Sequence, residues 1–283
     1  MGKSLLLSVT ILIILLLTGT ASAETAVRDV RLVIGDTQAQ INGRTVQMPA
    51  PARIVNGSTL VPLRFVGEAL GCQVSWESSS QTAMVKMIDQ TIEVQIGASY
   101  ASVNGGRIDV KVPAQIINGS TYVPLRFISE SLGARVDYTE GTKMVSISLA
   151  IYRDKENGFQ VVTPAGWSVS PSYDDGIDIA RDEKCFGHVG YFDSREGIDT
   201  GNFAEFAEQW FTLYEDETIK TRYVRGITAV VVFSRDGEIN IIAYKLLDRG
   251  VYSCCFSIAE DEFDSGLALQ ADVIMGTLTS PVD

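Results

Sequence analysis

The sequence predicts an α+β fold in two parts: a duplicated small α+β module with mainly antiparallel strands, then a second α+β domain with an antiparallel meander sheet flanked by helices. A segment of 26 residues recurs at an offset of 62 residues without a gap, which indicates a tandem duplication. Short apolar stretches alternate with Asn-Gly and Asp-Gly pairs, the residues that tight hairpin turns require. The charge balance also changes near residue 150, which indicates a domain boundary.

Residues 1–23 have the pattern of a signal peptide. Lys3 supplies a positive start, residues 5–17 are almost uninterrupted apolar residues, and Ala21-Ser22-Ala23 forms a small-residue cleavage site. The apolar run of about 13 residues is short for a membrane span, which needs about 20. We therefore expect an exported protein, extracellular or associated with the cell envelope, that is not an integral membrane protein after cleavage. A retained N-terminal anchor is the alternative.

The charges are distributed unevenly along the chain. Residues 24–150 contain 11 acidic and 11 basic side chains, whereas residues 151–283 contain 24 acidic and 11 basic ones. We expect a linker near residue 150, between the duplicated domain at 30–149 and the domain at 151–283. No cluster of Lys and Arg offsets the acidic half, so nucleic acid is excluded as a partner.

The repeat is long enough to define its own elements. Residues 51–76 read PARIVNGSTLVPLRFVGEALGCQVSW and residues 113–138 read PAQIINGSTYVPLRFISESLGARVDY, with 16 identities in 26 positions. The copies extend over about 32–93 and 94–149. Farther downstream, Met84-Val85 aligns with Met144-Val145 if a two-residue deletion is introduced.

Each copy is predicted to form hairpins and one short helix. A Pro occupies the first helical position, apolar residues follow at helical spacing, and a Gly ends the helix. These positions are Pro62, Leu63, Val66, Leu70 and Gly71 in the first copy and Pro124, Leu125, Ile128, Leu132 and Gly133 in the second. A helix of about two turns buries little surface alone, so we expect the copies to share one core contacted by Leu63, Phe65, Leu125 and Phe127.

These residues resemble a known family. The signature NG-S/T-x-VPLRF-[IV]-x-E-x-LG-x-x-V-x-W/Y is similar to the copper amine oxidase N-terminal-like domain, which occurs in secreted bacterial proteins, often as tandem units. The resemblance implies a non-catalytic appendage and not amine oxidation. Independently, a copper site with three histidines cannot form in a chain with one histidine, His188. We predict no metal and no cofactor.

Motif residues in the repeats have two interpretations each. Arg64 and Arg126 occupy the same place in both copies and could form a ligand-binding pair. An arginine stem that lies along the sheet with its head on a carbonyl is favoured, because duplication alone explains the recurrence. Glu68 and Glu130 are expected to be solvated helix positions. The sequons at Asn56 and Asn118 are read as turns.

The second half is predicted to contain an opening hairpin, a helix, a meander and a closing helix. The hairpin is expected from residues 158–164 and 167–169, and the first helix follows Asn202 with Glu205 placed for a capping box. Strands are expected at 227–233, 239–246 and 251–258, and the last helix at about 263–278. The segment Tyr152-x-Asp154…Gly158-Phe159-x-Val161-x-x-Pro164-x-x-Trp167, with this order of elements, resembles the PsbP-like/Mog-like α-β-α fold. That resemblance implies an extrinsic binding or assembly factor.

Few residues suggest chemistry. Cys185 and His188 could form a dyad, but a spacing of three residues near a strand is poor geometry for a nucleophile and its base. Asp174, Asp175, Asp178 and Asp182 could hold Ca²⁺, but they lack the spacing of a calcium loop, and a solvated turn is favoured. Cys185 could form a disulfide with Cys254 or Cys255, or all these cysteines could be buried thiols.

The sequence therefore predicts a protein that is not an enzyme. We expect a non-catalytic secreted or envelope binding protein, whose duplicated domain docks to a cell-wall polymer or an envelope protein. The alternatives are an extrinsic assembly or stability factor of a surface complex and an uncharacterised hydrolase. No catalytic or metal-binding residue is assigned, and no binding residue is singled out.

Overall fold

The computed structural model describes residues 24–172, 176–182, 185–193 and 198–280. The predicted signal peptide and the acidic residues Asp174 and Asp175 lie outside these ranges.

The first half consists of two copies of the same element order. The first copy contains β1 Glu24–Val33, β2 Gln38–Ile41, β3 Arg44–Gln47, β4 Arg53–Val55, β5 Ser58–Pro62, α1 Leu63–Ala69, β6 Gln73–Glu77 and β7 Thr82–Met87. The second contains β8 Gln90–Gln95, β9 Tyr100–Val103, β10 Gly106–Asp109, β11 Gln115–Ile117, β12 Ser120–Pro124, α2 Leu125–Ser131, β13 Arg135–Thr139 and β14 Met144–Asp154.

Every sheet of this half contains strands from both copies. One sheet has the order β13-β14-β1-β2-β3, and the next has the order β10-β9-β8-β7-β6. Each of these two sheets therefore contains the first three strands of one copy and the last two strands of the other. A third sheet, β11-β12-β5-β4, joins one hairpin of each copy. The copies are interleaved, so neither forms a sheet by itself.

The register of the strands corrects the downstream alignment. Val74 pairs with Val85 in the first copy, and Val136 pairs with Ile147 in the second. Val136 lies 62 positions after Val74, and its partner Ile147 lies 62 positions after Val85. The offset of 62 therefore continues through β7 and β14, and no two-residue deletion exists. The identity of the two Met-Val pairs was a coincidence of sequence.

The predicted turns and helix ends are confirmed. All four Asn-Gly pairs of the repeats have positive φ at both residues, for example Asn42 at 49° and Gly43 at 77°, as a type I′ turn requires. Gly71 and Gly133 end α1 and α2 with φ values of 88° and 84°. The Asn56 and Asn118 sequons therefore lie in turns between paired strands.

The shared core is also present. Leu63 and Leu125 are buried in one apolar cluster that draws residues from both copies. Phe65 and Phe127 pack against this cluster with part of each ring accessible.

The expected linker near residue 150 is wrong. Ala150 lies in the middle of β14, where it pairs with Val27 of β1 on one side and Thr163 of the next strand on the other. The change in net charge does not mark a break in the backbone, because β14 is continuous from Met144 to Asp154 and pairs with β1 on both sides of this point.

The second half is built on a seven-stranded antiparallel sheet with the order β16-β17-β18-β22-β21-β20-β19. Its elements are β15 Phe159–Thr163, β16 Ser168–Pro171, β17 Gly176–Asp182, β18 Cys185–Asp193, α3 Phe203–Phe211, β19 Thr218–Arg225, β20 Thr228–Arg235, β21 Glu238–Leu247, β22 Gly250–Ala259 and α4 Ser265–Thr277. The meander and both helices are confirmed. The sheet has α4 on one face and α3 on the other, each over its own apolar cluster.

Three details differ from the sequence prediction. β15 pairs with β14 and β16 pairs with β17, so the expected opening hairpin does not form. Asn202 precedes α3 without a side-chain cap; its Oδ1 accepts from the Asp199 N–H instead. The described residues contain four α-helices among 22 strands, so the fold is mainly β with few helices, and the α+β description overstates the helical part.

The two halves pack directly on each other. The turn between β7 and β8 approaches the end of α4, where the Asp89 N–H donates to the Gly276 carbonyl at 3.2 Å. Gly133, which ends α2, lies so close to Val162 and Val273 that an added Cβ would be 2.8 Å from each. Both valines belong to the core of the first half. The junction is a packed interface.

Candidate binding groove

A groove opens on the first half between β6 and the hairpin of β11 and β12. Its volume is about 500 Å³, within the range of small-ligand sites. Val74, Ser75 and Trp76 of β6 form one wall, and the opposite wall includes Ile116 of β11. Because β6 belongs to the first copy and β11 to the second, the interleaving of the copies creates the groove.

The walls carry large apolar side chains that remain accessible to solvent. Trp76 is 38% exposed and Ile116 is 51% exposed. Their equivalents in the other copy, Tyr138 and Ile54, are 46% and 58% exposed. An accessible indole beside an accessible aliphatic chain provides contact area that a ligand can cover. None of these residues is recognisable as a binding residue from the sequence alone, where the signal is an aromatic residue, Trp76 or Tyr138, at the same position of each repeat.

The two repeated arginines behave differently. Arg126 Nη1 donates to Glu130 Oε1 at 2.8 Å and to the Val136 carbonyl at 3.3 Å, which is the structural role that was favoured. Arg64 lines the groove, and no hydrogen bond or ion pair joins it to another described residue. The exposed Glu68 stands where Glu130 stands in the second copy. The pair is therefore asymmetric, and one guanidinium is available to a ligand.

A second cavity of about 340 Å³ lies between the halves. Lys86 and Asn104 line it from the repeats, and Tyr223, Arg225 and Asp272 line it from the second half. Burial raises the pKa of the Asp272 carboxyl to about 6, although the Arg225 charge lowers it in part. Burial, with a smaller contribution from Asp272, also raises the pKa of the Tyr223 hydroxyl.

An ion pair lies beside this cavity. Lys245 Nζ is 2.9 Å from Asp89 Oδ2, and the lysine side chain is only 3% exposed whereas the aspartate side chain is 51% exposed. The same Nζ donates to the carbonyls of Met275 and Gly276 at the end of α4, at 3.4 and 3.5 Å. Burial lowers the pKa of Lys245, against the opposing effect of Asp89. The pair joins the second half to the turn that links the two repeats.

The candidate dyad does not assemble. Cys185 is buried in the cluster beneath α4, whereas His188, three residues along β18, projects from the opposite face. His188 Nδ1 lies 3.2 Å from Asp178 Oδ1 and its cross-strand neighbour is Cys255. Burial raises the pKa of the Cys255 thiol, which is the reverse of what an activated nucleophile needs.

The cysteines are free thiols, so neither alternative disulfide is present. Cys185 lies opposite Ile258, and Cys254 lies opposite Val189. Burial raises the pKa of Cys185 to about 11 and that of Cys72 to about 12. The interpretation as buried apolar side chains fits Cys72, Cys185 and Cys254, whereas Cys255 is only half-buried.

The described residues contain no group of three or more His, Cys, Asp or Glu side chains that could hold a metal ion. Of the candidate calcium cluster, Asp178 contacts His188 and Asp182 forms an ion pair with Arg181 at 2.8 Å. None of the helices that the structure describes is long and apolar enough to cross a membrane.

Fold and groove together define a class: a tandem-duplicated, mainly β module whose copies exchange strands and enclose a groove between them. Residues 16–85 and 67–147 each match the Copper amine oxidase N-terminal domain, so the first half of the chain is a tandem pair of this family's domain. The first match begins inside the predicted signal peptide. The PsbP-like resemblance of the second half stays a prediction.

One curated relative is similar over part of its length. A protein of Brevibacillus choshinensis with the name "Protease inhibitor" is 32% identical over 116 residues, which cover 38% of this chain and 33% of the relative. The chain thus spans about a third of the length of the curated relative that it matches. The family domain and this relative both indicate a non-catalytic accessory or binding role.

Proposed function

We propose that this chain is an exported, non-catalytic binding protein of the cell envelope, and that its duplicated module binds an envelope partner in the groove between β6 and the β11–β12 hairpin. The observation that carries the proposal is the groove itself, which combines accessible apolar side chains with the Arg64 guanidinium, which has no hydrogen bond or ion pair to another residue that the structure describes. Trp76 and Ile116 supply contact area, and Arg64 supplies a positive charge for a carboxylate or phosphate.

The envelope is the proposed location because residues 1–23 have the pattern of a signal peptide. Wall polymers and envelope proteins both present anionic groups that could pair with Arg64. The acidic second half, with 24 acidic against 11 basic side chains, would repel such anions and leave the neutral repeats as the contact surface.

Two binding experiments test the proposal. The mature chain, residues 24–283, is sedimented with purified bacterial cell walls and, separately, passed over an immobilised fraction of solubilised envelope proteins. We expect it to be retained by one of the two, and Trp76→Ala to weaken retention about tenfold, since an anchor residue is typically worth more than 1 kcal/mol. Tyr138→Ala, at the equivalent position of the other copy, is the matched control and should bind normally. Retention that Trp76→Ala leaves unchanged, or no retention at all, would contradict the proposal.

Protease inhibition is a second candidate, because the Brevibacillus choshinensis relative is named for it. The test is residual activity of subtilisin, trypsin and thermolysin after incubation with an equimolar amount of the mature chain. Stoichiometric inhibition of one of them, lost in Trp76→Ala and retained in Tyr138→Ala, would favour this candidate over envelope docking. Full activity of all three would count against it.

A further inference from the structure

We propose that the groove binds an extended peptide segment, which adds to the free edge of β6 as a sixth strand of the β10-β9-β8-β7-β6 sheet. The proposal deepens the proposed function, because it rests on the same groove and names the chemical class of its ligand.

The groove reaches the free edge of β6 and also one face of the sheet, where Ala83 of β7 contributes to its lining. β6 ends the sheet, with β7 as its neighbour on one side. Val74, Ser75 and Trp76 are consecutive in β6 and all three line the groove. Because consecutive side chains of a strand point to opposite faces, a groove that touches three of them in a row runs along the strand's edge.

The repeat reveals which backbone groups point into the groove. In the second copy, the Val136 carbonyl accepts from Arg126, so this carbonyl is turned away from β14 and toward the free edge of β13. Val74 is the equivalent of Val136, and their cross-strand partners, Val85 and Ile147, are equivalent too. The N–H and C=O of one residue point to the same side of an antiparallel strand, and the direction alternates along it. Val74 and Trp76 therefore direct their N–H and C=O groups into the groove.

The two copies differ in whether this edge is open. Arg126 covers the edge of β13 and is held there by Glu130 at 2.8 Å. Arg135 and Asp137 form a further ion pair along the same strand, also at 2.8 Å. In the first copy Ser75 stands in place of Asp137, and no side chain of the described residues donates to the Val74 carbonyl. One copy thus has a capped edge and the other an open one, which predicts one peptide site per chain.

A single peptide strand fits this place better than a second copy of the chain. Neighbouring strands are about 4.8 Å apart, so an added strand needs only the space directly beside β6. The β11–β12 hairpin forms the opposite wall and would meet any whole sheet that approached the edge. Main-chain pairing supplies affinity in such sites, and pockets for alternate side chains supply selectivity. Here Trp76 and Ile116 would contact an apolar side chain, and Arg64 an acidic side chain or a terminal carboxylate.

The probe is a linear peptide selected by panning a display library of random ten-residue peptides against the mature chain. The best binder is then synthesised with single backbone N-methyl groups placed at each position in turn. Strand addition predicts an alternating result: N-methylation weakens binding about tenfold at every second position of a central segment and has little effect between them, because only alternate amides face β6. Trp76→Ala should also weaken binding, and Tyr138→Ala should not.

The outcomes separate this inference from the proposed function. If no peptide is selected while cell walls retain the wild type and not Trp76→Ala, the groove binds another ligand and strand addition is wrong. An N-methyl scan without alternation also overturns it. A Trp76-dependent dimer in light scattering would make a second copy the occupant and refute the peptide. If the groove variants bind every probe like the wild type, the proposed function fails too.

Discussion

Val61 lies opposite Val123 in the ladder between β5 and β12, and the two residues occupy equivalent positions in the two copies. Both are fully buried. Two equivalent residues can face each other in an antiparallel pair only if a local twofold axis passes between them. The duplicated half is therefore arranged as a symmetric dimer would be, with both subunits in one chain.

This axis explains the exchange of strands. β1 pairs with β14 over ten residues, and β7 pairs with β8 across the join between the copies. Buried side chains from both copies form one apolar cluster. The stability of each copy therefore depends on strands that the other copy supplies.

The equivalent leucines test the shared core. Leu63→Ala and Leu125→Ala should each cost about 2–5 kcal/mol of the free energy of unfolding, because both side chains are buried and the cavities cannot collapse fully. Each variant should lose hydrogen-exchange protection in both copies. Val27→Ala, at a side chain that is 55% exposed, is the control and should change stability little. Protection that falls only in the mutated copy would disprove the shared core.

A fragment experiment tests the interleaving. The first copy alone, residues 24–88, should be unfolded by circular dichroism and by amide dispersion in NMR, since β1 and β7 lose β14 and β8. The two-copy fragment 24–164, which keeps β14 and β15, should show cooperative unfolding. A folded 24–88 fragment would mean that the copies are autonomous.

Local chemistry made the repeated elements predictable from the sequence. The Asn-Gly pairs, the Pro at the first helical position and the Gly at the helix end act within a few residues, and all of them are found in the structure. The exchange of strands was not predictable, because β1 could satisfy its hydrogen bonds with a strand of either copy. The pairing of Ala150 with Val27 is a contact between residues far apart in sequence, and net charge carries no information about it.

The groove could be predicted only in part. Arg64 and Arg126 were visible as repeated residues, but their different environments follow from contacts to Glu130 and Val136 that a single sequence does not encode. The exposure of Trp76 depends on β6 being an edge strand, which is a property of the sheet order.

The ion pair between the halves gives a further prediction. Asp89→Asn should lower the free energy of unfolding by about 1–3 kcal/mol, because it leaves the buried Lys245 ammonium without its counterion. This loss is smaller than for a fully buried ion pair, because the Asp89 side chain is half-exposed to solvent. Lys245→Met should be close to neutral, since an apolar chain of similar length replaces the charge. In the Lys245→Met background Asp89→Asn should cost almost nothing. Urea unfolding of the wild type, the two single variants and the double variant measures the coupling free energy between the two side chains. Additive effects of the two substitutions would mean that the ion pair contributes nothing to stability.

Asp272 makes stability depend on pH. Its folded pKa of about 6 lies above the value of 3.8 that is ordinary for an aspartate, so between these two pH values the folded state binds more protons than the unfolded state. The contribution of Asp272 to the free energy of unfolding is therefore fully present below about pH 4 and is lost as the pH rises through about 6. Arg225, Tyr223 and Lys86 share the cavity with this carboxyl, and the Arg225 charge limits the shift.

Asp272→Asn should remove this dependence. The difference between 3.8 and about 6 corresponds to at most about 3 kcal/mol. We therefore expect the free energy of unfolding of the variant to exceed that of the wild type by about 1–3 kcal/mol at pH 7.5 and to match it near pH 3.5. Asp236→Asn, in the exposed turn between β20 and β21 where Asn adopts positive φ equally well, is the control and should show no such crossover. Urea unfolding at four pH values between 3.5 and 7.5 provides the measurement. If the difference between wild type and Asp272→Asn stays constant with pH, the carboxyl is not held in a desolvated site, and the cavity between the halves is more open than its lining implies.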